Sequence, residues 1–462
     1  MAIESVRDVV FGGFCVGCGG CAVKSQGAIV MGFSEDGAAQ PDLRLSDPSA
    51  LALPQACPFS DASPNENELS TRFDDGSHSF DKRIGYYTEL AAGRLSDDSA
   101  LQNSSSGGLT SWLAAQLLER DLVDGVIHVG RESDGQQRLF SYVISRGDVL
   151  RSERRKSVYY STHMADVLKS VIGDGQRYAI VGVPCFIKAT SILMGEIPEL
   201  QEQIRFRVGL VCGHLKSSAF AEALAWQAGV PPTELLAFDF RVKVPGEPAN
   251  AYRHAALSAH DREWHQKQTN RTLGGNWGHG MFQLNACNFC DDIFAETADV
   301  CFGDAWLPRY SQDSRGTNLI VSRHPVIDAI LEEGKSSGLI GYDALTPDEI
   351  AVSQAGNFRH RWDGLSVRLA DDLRLGRSVP TKRIAPGSRP VPKIRRAVIR
   401  LRRAMGELSH AAFRRAKAEN NFGVFQAEME PHIRQMAKLG RLEKRIGRLP
   451  LVRNIAKRLH II

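Results

Sequence analysis

Four of the nine cysteines form a compact constellation, Cys15-Val-Gly-Cys18-Gly-Gly-Cys21, completed far downstream by Cys57-Pro58. Three thiolates at two-residue intervals can curl around one face of an iron–sulfur cube, and glycines let the backbone turn tightly and aim N–H groups at sulfur. A remote Cys-Pro then supplies the fourth ligand. Zinc is the rival occupant, although structural zinc sites usually draw on two separated Cys pairs; inert thiols are the third reading. The pattern departs from bacterial ferredoxins, where the Cys-Pro lies close by or serves another cluster. Here Val23 to Ala56 intervene.

The remaining cysteines suggest a second centre. Tyr178-Ala-Ile-Val-Gly-Val-Pro-Cys185 and Ile204-Arg-Phe-Arg-Val-Gly-Leu-Val-Cys212-Gly-His214 each read as a strand that ends at a cysteine. Carboxyl ends of strands are where open α/β sheets build ligand sites. Taken singly, each thiol also reads as a small buried apolar residue. Cys287-Asn-Phe-Cys290 is ambiguous alone, being half a zinc site, a redox dithiol or two cluster ligands. Joined with Cys185 and Cys212 it completes a set of four, and a second four-iron cluster is expected there. Cys301, in an apolar strand-like run, reads as a core thiol.

Alternating strands and helices must position these groups, and the pattern predicts an α/β fold with an open, mostly parallel sheet. Ser104-Ser105-Ser106-Gly107-Gly108 precedes a helical stretch from Leu109 to Arg120, and Gly125 to Gly130 reads as a buried strand. Small residues opening a helix leave N–H groups free for phosphate, so the loop is a candidate for a nucleotide pyrophosphate. A plain serine N-cap on a core helix is the alternative.

In this order, the Cys triplet, the Ser-Ser-Gly-Gly loop, Val181-Gly-Val-Pro-Cys185, Val211-Cys212-Gly213, Cys287-x-x-Cys290-Asp291 and Ala298-Asp299-Val-Cys-Phe-Gly303-Asp304 span roughly residues 10 to 330. Jointly they are far more specific than any one alone. On them the chain resembles the coenzyme F420 hydrogenase/dehydrogenase beta-subunit family, whose relatives include 7-hydroxymethyl chlorophyll a reductase. The resemblance implies FAD beside one or two [4Fe-4S] clusters. By position it implies that Ser105, Ser106, Gly107 and Gly108 face the flavin nucleotide, with Lys156, Ser157, Tyr159, Gly303 and Asp304 near the same cavity. Lys156 also reads as a solvated member of the Arg151 to Lys156 charge run.

Clusters move one electron and flavins can release two as hydride, so the expected protein is an oxidoreductase between a ferredoxin-like one-electron partner and a two-electron small-molecule substrate. An electron-transfer subunit feeding a partner enzyme, as in polysaccharide biosynthesis, is the alternative, and a zinc-stabilised binding module a lesser one. His214 and His279 are candidate proton donors by sequence proximity, each with a structural reading beside it. No residue decides whether the substrate is a deazaflavin.

Length and an average apolar share suit two or three domains. The expected division is an iron–sulfur segment at 1–80, the flavin and iron–sulfur α/β domain at 81–380, and a Pro-rich linker with a basic helical tail at 381–462. No apolar run is long enough to span a membrane and the start lacks secretory features, so a cytoplasmic location is expected. The net charge of +4 hides 18 Lys and Arg against 5 Asp and Glu from Lys393 onward. That split argues for a basic tail rather than a nucleic-acid binder. Ile384 to Pro392 reads as an exposed, extended hinge. Ile394, Val398, Leu401 and Met405 fall at helical spacing, as do Leu442, Ile446 and Leu449 before Pro450. Such helices dock on a membrane surface or acidic partner, or pack on the chain's own acidic body.

Overall fold

The computed structural model describes residues 2–131, 138–147 and 156–448; Arg151, Leu449 and Pro450 lie outside them. Two short antiparallel hairpins come first: β1 (Met31–Phe33) with β2 (Ala39–Pro41), and β3 (Ser79–Asp81) with β4 (Gly85–Tyr87). The central sheet is built from β5 (Glu89–Leu95), β6 (Gly125–Arg131), β7 (Phe140–Ser145), β8 (Tyr178–Gly182) and β9 (Ile204–Leu210). A smaller antiparallel sheet follows, of β10 (Leu235–Val242), β11 (Arg253–Ser258) and β12 (Trp264–Gln268). The chain then returns to the first sheet with β13 (Val300–Asp304), β14 (Asn318–Ser322) and β15 (Ile340–Ala344).

The eight strands of the central sheet run in the order β15-β5-β14-β13-β9-β8-β6-β7. Only β13-β9, β9-β8 and β8-β6 are parallel pairs. The sheet is therefore mixed, not mostly parallel. Eight residues separate β6 from β7, too few for the crossover that parallel pairing needs, so that pair is antiparallel. In the parallel interior, β8 carries apolar side chains toward both faces, whereas in β9 Phe206 and Val208 alternate with Arg207, which is paired with Asp299. The helix Pro184–Glu196 starts directly after β8 with proline in its first turn, where the missing N–H costs nothing.

One buried cluster runs from Ile3 and Val6 of the N-terminal segment through Cys18 and Cys21 to Ile180, Ala189, Cys301 and Leu365. The N-terminal segment and the central sheet thus share a core. A second core joins the small sheet to the C-terminal helices Lys393–Ala418 and Phe422–Arg448. Phe413 and Phe425, fully buried with ring centroids 5.7 Å apart, each contribute about 1.5–3 kcal/mol by burial.

The helix Lys393–Ala418 packs on the body, as the charge asymmetry allowed. Arg400 pairs with Asp371 at 2.7 Å, Arg403 with buried Asp372 at 2.8 Å and Lys417 with Glu222 at 2.8 Å. Ile394 and Met405 are buried, whereas Leu442 in the second helix is exposed. The Pro-rich segment is not a free hinge. Its Gly387 and Arg389 N–H groups donate to Ser366, Arg389 pairs with Asp363, and Val391 is buried. Nor is it extended throughout: Ser388 N–H returns to the Ala385 carbonyl in a turn through Gly387, and the bonds to Ser366 strap the segment to the helix Leu365–Arg374. Among the described residues no helix is long and apolar enough to cross a membrane.

Candidate functional site

The first four cysteines meet in the N-terminal segment. Gly17 and Gly19 hold left-handed φ angles of 73° and 85°, and a Cβ on Gly17 would lie 2.4 Å from the Ala39 carbonyl oxygen. Only glycine tolerates that turn. The Gly17 N–H donates to Cys15 Sγ at 3.4 Å. Burial pushes the thiols of Cys15, Cys18 and Cys21 up, Cys15 to about 12, and Cys57 acts on all three in the same direction. Burial likewise raises Cys57, against the pull of Lys188 and Lys382.

The second set gathers at the carboxyl ends of β8 and β9. Cys185 is the second residue of the helix after β8, and Cys212 lies two residues beyond β9. Cys287 belongs to the turn Asn285–Phe289, which Cys290 ends. Burial raises Cys185 well above its ordinary value, and Cys290, Cys212 and Cys287 add to it. Cys287 is pushed to about 12 by burial and Cys212, and receives the Leu215 N–H at 3.1 Å. Burial takes Cys212 to about 11, restrained by Arg361. A Cβ on Gly20 would lie 3.8 Å from Cys18 Sγ and 3.6 Å from Ala189 Cβ, on the helix that carries Cys185, so the two sets are neighbours. Cys301 is wholly buried within β13, as a core thiol.

Each set therefore offers two buried and two half-buried thiols, an N–H aimed at sulfur and cationic neighbours, donor chemistry that fits an anionic thiolate-ligated cluster. Among the described residues no group of three or more His, Cys, Asp or Glu side chains is arranged to hold a metal ion. In a four-iron cube each iron takes its own thiolate, so the four sulfurs need not converge on one point.

A cavity of about 260 Å³ opens beside Cys212. Ser105, Ser106, Gly108, Lys156, Ser157, Tyr159, Gly303 and Asp304 all line it. Gly107 supports it from behind: a Cβ there would meet Gly93 O at 2.6 Å and Asn318 N at 2.7 Å. The helix Leu109–Glu119 starts from Gly108, at φ +82°, with no capping side chain, which excludes the serine cap. Its first N–H is taken by Asn318 Oδ1 at 3.0 Å, and Thr110 and Ser111 of the same turn face the cavity. Beyond the N–H taken by Asn318, the rest of this first turn suits a phosphate. Ser105 Oγ accepts the Ser157 N–H at 2.7 Å, coupling the loop to the Lys156 segment.

Lys156 is not a solvated charge. It pairs with Asp239 at 2.8 Å and donates to the Arg241 carbonyl at 3.1 Å. In β10, Phe238 and Phe240 point into the aromatic core, while the alternate positions put Asp239 against Lys156 and Arg241 on the cavity wall. Arg241, buried, donates to Asp304 Oδ2 at 2.9 Å, so it fixes the aspartate of the Gly303-Asp304 pair. Sequence reading missed Asp239 and Arg241; their signal was a charged pair alternating with phenylalanines in a strand. His214 lines the cavity and burial holds its imidazole well below the ordinary range, whereas His279 does not line it. Lys216, also missed, lies over the Phe220 and Trp277 rings at 4.7 and 5.0 Å, its ammonium disfavoured by burial.

Comparison with known proteins gives two matches to family models. Residues 90–169 match the N-terminal region of the coenzyme F420 hydrogenase/dehydrogenase beta subunit, and residues 175–348 match its C-terminal region. An uncharacterized protein of Methanocaldococcus jannaschii is 20% identical over 260 residues, 55% of this chain and 66% of that relative. The chain thus spans slightly less than two thirds of that protein's length. Among solved structures, a chain from a xenon-derivatized F420-reducing nickel–iron hydrogenase complex of Methanosarcina barkeri aligns with a TM-score of 0.49 and 16% identity. That alignment covers 65% of this chain and 98% of the other.

Proposed function

The chain belongs to the coenzyme F420 hydrogenase/dehydrogenase beta-subunit family, and from that premise we propose that it is an iron–sulfur flavoprotein oxidoreductase. In this reading Cys15, Cys18, Cys21 and Cys57 hold one [4Fe-4S] cluster and Cys185, Cys212, Cys287 and Cys290 a second. FAD occupies the cavity beside Cys212, and a ferredoxin-like protein is the one-electron partner. Bound clusters carry electrons singly, and a bound flavin pairs two for release as hydride.

The observation that carries the reading is one of adjacency. Two largely buried four-thiol sets are neighbours, the Cys18 turn lying against the helix that carries Cys185, and Cys212 of the second set borders the cavity lined by the Ser104 to Gly108 loop. The chain's own residues have distinct tasks there. The loop and helix N-terminus bind phosphate, Lys156 held by Asp239 and Arg241 held by Asp304 supply fixed positive charge, and Tyr159 and Trp277 close the cavity with aromatic surface.

Anaerobic purification with iron, acid-labile sulfide, zinc and flavin counted per chain tests the proposal. About eight irons and one FAD are expected. Zinc without iron or flavin would refute it. Turnover of a small molecule only when a co-purifying protein is present would instead make the chain an electron-transfer subunit.

A further inference from the structure

Beyond the flavin cavity lies a second one, of about 650 Å³, that shares Tyr159, Val211, Gly213, His214, Arg241, Trp277 and Asp304 with it as common wall. Its far side is formed by residues outside the matched family segments: the Gln354 to His360 stretch and the helix Lys393–Ala418, which contributes Arg395, Val398, Ile399 and Arg402. The lining carries five arginines and a single carboxylate, Asp304, which Arg241 already engages. Arg395 is answered from outside the lining by Glu443.

The hydrogen-bond inventory is equally one-sided. Arg402 donates to Nδ1 of His214 at 3.2 Å and contacts Nδ1 of His360. An arginine has only donors to give, so both imidazoles accept at Nδ1 and carry their proton on Nε2. Both Nε2 atoms are buried without a partner among the described residues, and so is Arg402 Nε. Arg368, 3% exposed, spends its guanidinium on the carbonyls of Asn288 and His360 and on Nδ1 of His360, and among the described residues it forms no ion pair. Of the five arginines on the lining, only Arg241 and Arg395 meet a carboxylate in an ion pair among the described residues, and a cavity wall of that charge suits an oxyanion.

We propose that this second cavity binds a small molecule bearing a phosphate or carboxylate group, and that Arg402 of the C-terminal helix selects it. The proposal deepens the oxidoreductase reading, on which it rests for calling that molecule the substrate. It also gives the tail a task at the site, since the helix that supplies Arg402 is held down by Arg400–Asp371 and Arg403–Asp372.

The test uses the full chain as purified, with iron and flavin counted on the same sample. Inorganic pyrophosphate and citrate are titrated calorimetrically at constant ionic strength, to separate phosphate from carboxylate as the recognised group. One of them is expected to bind, R402Q to weaken it at least tenfold with flavin content unchanged, and R402K to recover part of the loss. If R402Q is misfolded, N357D, which sets a carboxylate on the lining without removing a buried cation, should weaken binding as well. No binding of either anion, or binding unaffected by these changes, overturns the proposal. Binding seen only after flavin is stripped also overturns it, because the cavity would then house the flavin's own phosphates. Arg402-dependent binding to a protein that holds neither iron nor flavin would leave the anion site standing and sink the redox reading.

Discussion

Arg361 Nη2 donates to the backbone carbonyl oxygen of Cys212 across 2.8 Å, and Nε reaches the same oxygen at 3.1 Å. The contact comes from a single π-helical turn, Arg359–Gly364, a rare local geometry that often marks functional positions. Buried positive charge beside Cys290, Cys212 and Cys287 favours the more negative, reduced state of whatever those thiolates ligate. Arg361→Gln should therefore lower the midpoint potential of the second centre by roughly 100 mV, one charge at an effective dielectric near 20. A redox titration followed by electron paramagnetic resonance reads this, and an unmoved potential would separate Arg361 from that centre.

The division of the cysteines is open to direct counting. Cys57→Ala and Cys287→Ala should each remove about four irons per chain, and from different centres. Loss of the same irons in both variants would show that the two sets are one.

Gly107 tests the nucleotide loop. Its missing Cβ faces two backbone atoms, Gly93 O and Asn318 N, neither of which can swing aside. Gly107→Ala should drop flavin content to a small fraction and lower the melting temperature by several degrees. Gly195→Ala, in a helix with open space around it, should stabilise by up to about 1 kcal/mol. Equal behaviour of the two variants would count against the close-approach argument.

Two buried groups fix the acid side of the stability curve. His254 is held neutral, its value lowered from 6.5 to about 4 mainly by burial, so between those values the unfolded chain takes up the proton first. Stability supplied by the neutral ring is complete above pH 6.5 and is lost as pH falls toward 4. Asp299 behaves as a depressed carboxylate: Arg207 and Arg72 outweigh its burial and bring it from 3.8 to about 2, so its contribution is lost below pH 3.8. Denaturant melts should show about 2–3 kcal/mol disappearing in the upper window. His254→Gln should lose less there than the parent, and Asp299→Asn should cost about 3–5 kcal/mol at neutral pH by stranding two arginines. A His254→Gln curve parallel to the parent's would remove His254 from the account.

Local features were the legible ones. The Cys15 to Cys21 triplet declares itself because its ligands are close in sequence, and Cys185 and Cys212 because each ends an apolar strand. The sheet's mixed directions were not legible, since β14 and β5 read as strands whichever way their neighbours run. Arg402 was hidden for a different reason. Its partners His360 and His214 lie 42 and 188 residues away, and its charge merges with those of the seventeen other Lys and Arg of the tail. Composition misled at Ile384 to Pro392, where prolines implied a loose strand but Ser366 was waiting to bind its N–H groups.

Arg383 joins Glu296 at 2.7 Å, Asp291 at 3.3 Å, and Glu66 at 3.7 Å. Glu66 is bound in turn by Lys188, on the helix that carries Cys185. This knot draws in four distant stretches of chain, and the last of them is made late. At about 5–20 residues per second, a ribosome that has finished Cys57 works for roughly 15 to 60 seconds more before Arg383 exists. For that interval Glu66 and Lys188 lack the partner that ties them to the Asp291 to Glu296 stretch, so this corner of the fold closes only once synthesis has passed Arg383.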